Sequence, residues 1–299
     1  HRQVCARILR ITKARTGSLT YPNLADANNA NSIKIAWNLV ALLHCDLNHS
    51  APVVEAADEA SPAAVNRVEN AGIAFEIACK DFIEGAFSLL THLRPGSWKV
   101  ARNAYISEFD QYTHLADFAE VVRLARKEGS QAGRLLEQLL GRDYIVKPDI
   151  IVARAPVTDE EVNQQGVILL PEDQIAELTP LRSANRKSAP LILHASISCK
   201  WTVRSDRSQN TRTEALNLIR NRKGNLPHVV AITAEPLPTR IASLAQGTGD
   251  MDCVYHFALP ELRQAVKQAE AEDQLEMLDE LIGGRRLRDI ADLPFDLAI

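Results

Sequence analysis

Residues 191–203 read LILHASISCKWTV. The run alternates. Leu191, Leu193, Ala195, Ile197, Cys199 and Trp201 fall on one side of an extended chain, and Ile192, His194, Ser196, Ser198 and Lys200 on the other, because successive Cβ atoms of a strand point to opposite faces. A strand is expected over Leu191 to Val203, with Ser198 and Lys200 delivered to one face. Downstream, a helical pattern covers about Ser208 to Lys223 and stops at Gly224, a residue suited to the position just past a helix end. His228 to Ala234 is a further apolar strand. Upstream, Pro148-Asp149-Ile150-Ile151-Val152 holds a short apolar run typical of a buried strand. Strand, strand, helix, strand, preceded by helices, predicts an α/β domain with a central mixed β-sheet flanked by helices.

Outward from this centre, helical patterns cover Ile33 to Leu43, about Gly72 to Leu93, and about His114 to Leu140. The second has an apolar side of Ile73, Phe75, Ile77, Phe82, Ile83, Phe87 and Leu90, and is punctuated by Pro95 and Gly96. Arg154 to Ala189 carries loop signals, and Leu259 to Ile282 reads as one charged amphipathic helix. The expected organisation is a single domain over 1–299, mainly helical over 1–140, a sheet core over 141–258 and a helical C-terminal part over 259–299.

Composition removes several classes. No apolar run approaches the roughly 18 residues of a membrane span, and the basic start has no signal-like apolar core. The five cysteines (Cys5, Cys45, Cys79, Cys199, Cys253) are scattered without a CxxC pair, so neither a disulfide framework nor a zinc site is expected and a reducing cytoplasm fits. The histidines lack HExxH or HxxxH spacing and read as core or surface groups. The net charge of −4 argues mildly against a nucleic-acid partner, but charge acts locally. Between Cys199 and Gly224, Lys200, Arg204, Arg207, Arg212, Arg220, Arg222 and Lys223 face only Asp206 and Glu214, a basic strip of the kind that binds phosphates.

Hydrolysis of a phosphodiester near neutral pH needs a metal to activate water and steady the leaving oxygen, and hard cations take carboxylate and carbonyl oxygens. The nuclease pattern is Pro-Asp on one strand, then an acid, any residue and Lys on its neighbour. Pro148-Asp149 supplies the first part and Ser198-Cys199-Lys200 the second, with Ser where the acid usually stands. Glu214, on the helix after the Lys200 strand, is the candidate for the missing carboxylate.

Two adjoining segments carry a resemblance. Leu193 to Asn210 reads LHASISCKWTVRSDRSQN and Glu214 to Gly224 reads EALNLIRNRKG. Together they resemble type II restriction endonucleases of the CCGG family, which have the restriction-endonuclease-like PD-(D/E)xK core. The likeness continues through TAEP at 233–236, GTG at 247–249, DCVYHFA at 252–258 and DLP at 292–294. It extends more loosely back to Gly72, while residues 1–65 match poorly.

The resemblance implies an active-site set of Asp149, Ser198, Lys200 and Glu214, with Glu76 as an additional glutamate on an N-terminal helix. It implies two Mg²⁺ ions per site. Asp149 and the backbone carbonyl of Cys199 would bind them directly, Glu76 and Glu214 through water, and Lys200 would orient the nucleophile. Arg204, Asp206 and Arg207 resemble the reader of the inner CCGG. Arginine forks onto guanine O6 and N7 and aspartate accepts from cytosine N4, so the chemistry of the assignment is sound. Arg240 and Asp26 match the readers of the outer guanine and cytosine. The implied target is GCCGGC in double-stranded DNA, cut after the first G to leave four-base 5′ overhangs. A homodimer would read the palindrome, assembling into a homotetramer on two DNA copies. The competing readings are a catalytically silent DNA-binding protein, a structure-specific repair nuclease on the same fold and, last, a metal-dependent hydrolase of small phosphoesters, for which the basic strip would be unnecessary.

Overall fold

The computed structural model describes residues 8–13, 20–47, 62–117, 120–121, 146–170, 175–185, 189–203, 205–247 and 249–299, apart from the side chains of 44–47, 62–70, 183–185 and 205–208. Six strands form the main sheet in the order β3 (Trp98–Arg102), β4 (Ile150–Arg154), β5 (Ile192–Lys200), β6 (His228–Thr233), β7 (Cys253–His256) and β8 (Leu287–Asp289), and β1 (Ile11–Lys13) pairs with β2 (Thr20–Pro22) in a separate ribbon. β3, β4 and β5 pair antiparallel, whereas β6, β7 and β8 pair parallel. The sheet is therefore mixed, as the α/β reading expects.

Its inner strands are apolar because they are covered. Ile150, Ile151, Val152 and Ala153 of β4 are fully buried, as are Ala195 and Ile197 of β5 and Ala231 and Ile232 of β6. Ser196 and Ser198, on the polar side of β5, are buried as well, so this strand is covered on both sides where simple alternation expects one wet face. The sheet also recruits a strand from each side of 141–258. β3 is a half-exposed edge strand, and β8 has only three residues, too short for periodicity to register.

Besides a one-turn helix at Asp159–Val162, inside the stretch with loop signals, the helices among the described residues are α1 (Ala30–Leu47), α2 (Pro62–Ser88), α3 (Ser205–Asn221), α4 (Pro238–Ala245), α5 (Leu259–Gln268), α6 (Glu272–Gly283) and α7 (Leu293–Asp296). The Asn29 side chain caps α1 by accepting from the Ser32 amide at 2.9 Å. α2 ends at Ser88, and residues 89–94 form turns. Of the helix expected over His114 to Leu140, the start is a 3-10 turn, Asp110–Leu115. Residues 118–119 and 122–145 lie outside the described residues.

The single helix expected over Leu259 to Ile282 is two helices. Glu270 adopts a left-handed backbone (φ 55°) between α5 and α6, which a continuous helix cannot contain. No glycine or proline marks the break. Ala269 and Ala271 are both buried at the corner. Gln274 of α6 accepts from the Thr239 amide and hydroxyl of α4, each at 3.2 Å. Glu272 and Asp273 then open α6 with negative charge at its positive end.

Contacts divide the chain into two compact units. One holds the residues up to Leu90, Ser198–Arg212 and Val230–Ile299, and the other holds Thr91–Ile197 and Thr213–Val229. Among the described residues, no helix is long and apolar enough to cross a membrane.

Candidate active site

In the second unit the register of β4 on β5 sets Ile150 opposite Ile197. Asp149 is the residue before Ile150 and Ser198 the residue after Ile197. Asp149 is half-buried, and its carbonyl accepts from the Asn103 amide at 3.3 Å, which extends the pairing of β3 to the start of β4. A 3-10 turn organises the rest of this unit. Both backbone groups of Leu193 on β5 are bonded by the Gln111 side chain, at 2.7 and 3.0 Å. The buried Tyr112 hydroxyl donates to Leu218 O of α3 at 2.9 Å. Two consecutive side chains thus fix α3 relative to β5, with Ala215 and Leu218 turned inward and Glu214 half-buried. Neither Gln111 nor Tyr112 carries a sequence signal, since both look like ordinary polar residues near a turn.

In the first unit, Ser198 is buried and Lys200 half-buried at the end of β5. As alternate residues of one strand they share a face. The Lys200 carbonyl is held twice, by the Thr233 hydroxyl at 2.9 Å and the Ala234 amide at 3.2 Å. The next residue, Trp201, meets Phe75 of α2 edge-on (centroids 5.3 Å, 67°) and lies 6.4 Å from Phe257. Phe75 and Phe257 close the triad at 6.3 Å and 89°, and the Trp201 indole donates to Asn23 O at 3.3 Å. Phe75 precedes Glu76 in the chain, so one aromatic cluster docks the Glu76 helix beside the strand end that bears Lys200. Glu76 is half-buried there.

Asp26 and Arg240, 214 residues apart, form an ion pair. The Asp26 loop is set by the Ser32 hydroxyl, which accepts from the Asp26 amide at 2.9 Å. α3 begins at Ser205, so the backbones of Asp206 and Arg207 stand in its first turn. Arg204 itself and the side chains of Asp206 and Arg207 lie outside the described residues. One member of the basic strip is diverted: the half-buried Arg212 turns onto the buried Asp250, with Nε to Oδ2 at 2.9 Å, so its charge already has a partner within the protein. His194 lies between Trp98 and His228 at ring distances of 4.9 and 5.0 Å.

Two buried titratable groups beyond β6 escaped the motif reading. Glu235 is fully buried, and desolvation pushes its carboxyl up to about 7. The one hint was an acid directly after an apolar strand, in Thr233-Ala234-Glu235-Pro236. His256 is fully buried, and desolvation lowers it to about 4, against smaller opposing effects of Asp289 and the backbone of Ala258 and Glu235. Below its unfolded pKa near 6.5 the unfolded chain binds a proton that the native histidine refuses, so stability is lost as pH falls from about 6.5 to about 4, by on the order of 2 to 3 kcal/mol. Glu235 acts oppositely: its raised pKa favours the fold at low pH and is lost as pH rises toward about 7. Replacing His256 with Asn keeps an acceptor for the Ala258 amide, which the ring Nδ1 now receives at 3.1 Å. The variant should flatten the acid-side loss, measured by urea unfolding at a series of pH values. An unchanged slope would remove His256 as its source.

Among the described residues, no three His, Cys, Asp or Glu side chains cluster closely enough to hold a metal ion. A site for Mg²⁺ needs no such cage. The ion keeps several waters and commonly takes only one or two carboxylates, with the remaining oxygens supplied by phosphate.

The family model described as NgoMIV restriction enzyme matches residues 1–299. The chain belongs to the NgoMIV restriction enzyme family. A relative, the type II restriction enzyme NgoMIV of Neisseria gonorrhoeae, is 45% identical over 280 residues, covering 92% of this chain and 89% of that protein. This chain is therefore a DNA-binding type II restriction endonuclease, a site-specific deoxyribonuclease with the α/β restriction-endonuclease-like fold. The reading as a catalytically silent DNA-binding protein is set aside. The poorly matching 1–65 segment lies within the family match as well.

Proposed function

We propose that this NgoMIV-family enzyme cuts GCCGGC in double-stranded DNA after the first G, leaving four-base 5′ overhangs, with Asp149, Ser198, Lys200, Glu214 and Glu76 as its active-site set. The observation that carries the reading is the β4–β5 register. With Ile150 opposite Ile197, Asp149 and Ser198 are the next residues at the same end of the strand pair, and Lys200 follows on the Ser198 face. The donor chemistry fits Mg²⁺, two ions per site. Asp149 and the Cys199 carbonyl would hold it directly, and Glu76 and Glu214 would act through bound water. When bound, the metal lowers the pKa of water and neutralises charge on the phosphate oxygens.

The chain supplies the rest. The Lys200 ammonium, a donor with no acceptor capacity, orients the attacking water and offsets phosphate charge. Its backbone is immobilised by Thr233 and Ala234, so only the side chain has freedom. Ser198 adds a small hydroxyl where a carboxylate would crowd the site with a further negative charge.

Arg204, Asp206 and Arg207 read the inner CCGG from the N-terminal end of α3, where backbone amides and the helix dipole favour phosphate. Arg240 and Asp26 read the outer pair. Their ion pair supports this reading, since it presents one guanine reader and one cytosine reader at a single place. A homodimer places one set on each half-site of the palindrome, and two dimers make a homotetramer on two DNA copies. The enzyme works as a single domain over 1–299 in a bacterial cytoplasm.

Sequencing the ends of plasmid cut in Mg²⁺ tests the target. Identical CCGG 5′ overhangs at every GCCGGC, and none elsewhere, are the expected result; ends that map to any other sequence would remove this target. Arg240→Ala should cost about 1–3 kcal/mol of discrimination against other outer pairs while CCGG stays required. Undiminished outer selectivity in that variant would remove Arg240 as a reader.

A further inference from the structure

We propose that Glu235 is a positioning residue that sets the inner and outer base-reading segments in one register, so that both parts of the site are recognised as a unit. The inference rests on the reading of Arg204, Asp206, Arg207, Arg240 and Asp26 as base readers. The two oxygens of this buried carboxylate go to different segments. Oε2 accepts from the Val203 amide at 2.8 Å, and Oε1 accepts from the Leu237 amide at 3.2 Å. Val203 immediately precedes Arg204. Leu237 is the N-cap of α4, three residues before Arg240. The Glu235 amide in turn donates to Thr233 Oγ1 at 3.1 Å, and that hydroxyl donates to the Lys200 carbonyl at 2.9 Å. One chain of hydrogen bonds thus joins the backbone just before Arg204 and the N-cap of the Arg240 helix to the end of β5.

An acid suits this point. Each of two backbone donors from two segments meets its own carboxylate oxygen, whereas an amide presents one oxygen and one NH₂. Glutamine would aim its NH₂ at one of the two amides. Burying a carboxylate costs free energy, and charge-assisted hydrogen bonds of this kind are stronger than neutral ones, which offsets the cost and stiffens the link. Protonation does what glutamine does, since it converts one acceptor into a donor. The groups facing the carboxyl are Arg240, which favours the charged form, and Asp26, which opposes it. The His256 ring on the Glu235 backbone stays neutral down to about pH 4.

The test uses the full-length enzyme and three duplexes: its own cleavage site as found from plasmid ends, that site with the inner pairs changed, and that site with the outer pair changed. Equilibrium binding is measured without cleavage for the wild type, Glu235→Gln and Arg240→Ala. Glu235→Gln should lower discrimination at the inner and outer pairs together, about tenfold each, with affinity for the changed duplexes held within about twofold and the melting temperature within a few degrees. Arg240→Ala should lower the outer discrimination alone. Loss at only one position, no loss, or equal weakening on all three duplexes overturns the proposal. If Glu235→Gln does not fold, the wild type compared at about pH 8 and about pH 6 decides it: a paired loss at the lower pH is expected, and an unpaired or absent loss overturns it. Plasmid ends that are not GCCGGC would refute the proposed target, while this experiment still runs on the site actually cut.

Discussion

Lys200→Ala should abolish plasmid cleavage, lowering the single-turnover rate by about a thousandfold or more, while specific DNA binding stays within about threefold. The size of the effect follows from the kind of group removed. In the proposed mechanism the ammonium acts on charge that develops at the phosphate and on the attacking water, and no other side chain of the proposed set could replace it, because Asp149, Glu76 and Glu214 are acids and Ser198 is neutral. The fold should barely register the change. The side chain is half-buried at a strand end, and the strand is held by the Lys200 carbonyl, which alanine retains. Unfolding by urea should shift by less than about 1 kcal/mol, which separates chemistry from stability. Asp149→Ala should lose cleavage to the same extent and also weaken metal binding, read by calorimetric titration of Mg²⁺ on the enzyme–DNA complex. Wild-type cutting by either variant would take that residue out of the catalytic set.

Trp201→Ala should cost about 3–5 kcal/mol of stability, the largest single-residue loss expected outside the strands. The indole is nearly buried, at 6% exposure. It packs against Phe75 and Phe257, and aromatic pairs add about 0.5–1.5 kcal/mol each beyond burial. Its N–H also holds the Asn23 carbonyl, which the variant leaves without its donor. The functional consequence is specific, because the same cluster docks α2 and so places Glu76. Cleavage should fall further than the folded fraction accounts for. Trp201→Phe, which keeps the ring contacts and loses only the indole N–H, should recover most of the stability. A loss below about 1 kcal/mol in Trp201→Ala would show that the helix is held by other contacts.

These predictions differ in how far their residues were legible in the chain. Asp149 and Lys200 sit in local patterns, Pro-Asp before an apolar run and an alternating strand ending in lysine, that a two-residue period preserves, although each pattern alone is weak and the resemblance made them a site. Glu214 follows from topology, since a helix after a strand packs back on its sheet. Glu76 has no local signal. It is one acid among several on a long helix, and resemblance alone singled it out. Its docking depends on Phe75 finding Trp201 across 126 positions of chain, which no periodicity encodes. The break at Glu270 is hidden for a related reason: alanines, glutamates and glutamines are all good helix formers, and only burial of the corner and the α4–α6 bond at Gln274 decide against continuity.

By itself the sequence determined the order of the central strands and helix, the shared face of Ser198 and Lys200, and the chemical kinds of group available, because these depend on neighbours within a few residues. Only the tertiary structure decided which distant groups meet. It pairs Asp26 with Arg240, turns Arg212 onto Asp250, and places one buried carboxylate between Val203 and Leu237. Such meetings are set by the packing of whole elements, where the cost of burying a charge is met only if its partners arrive from elsewhere in the chain.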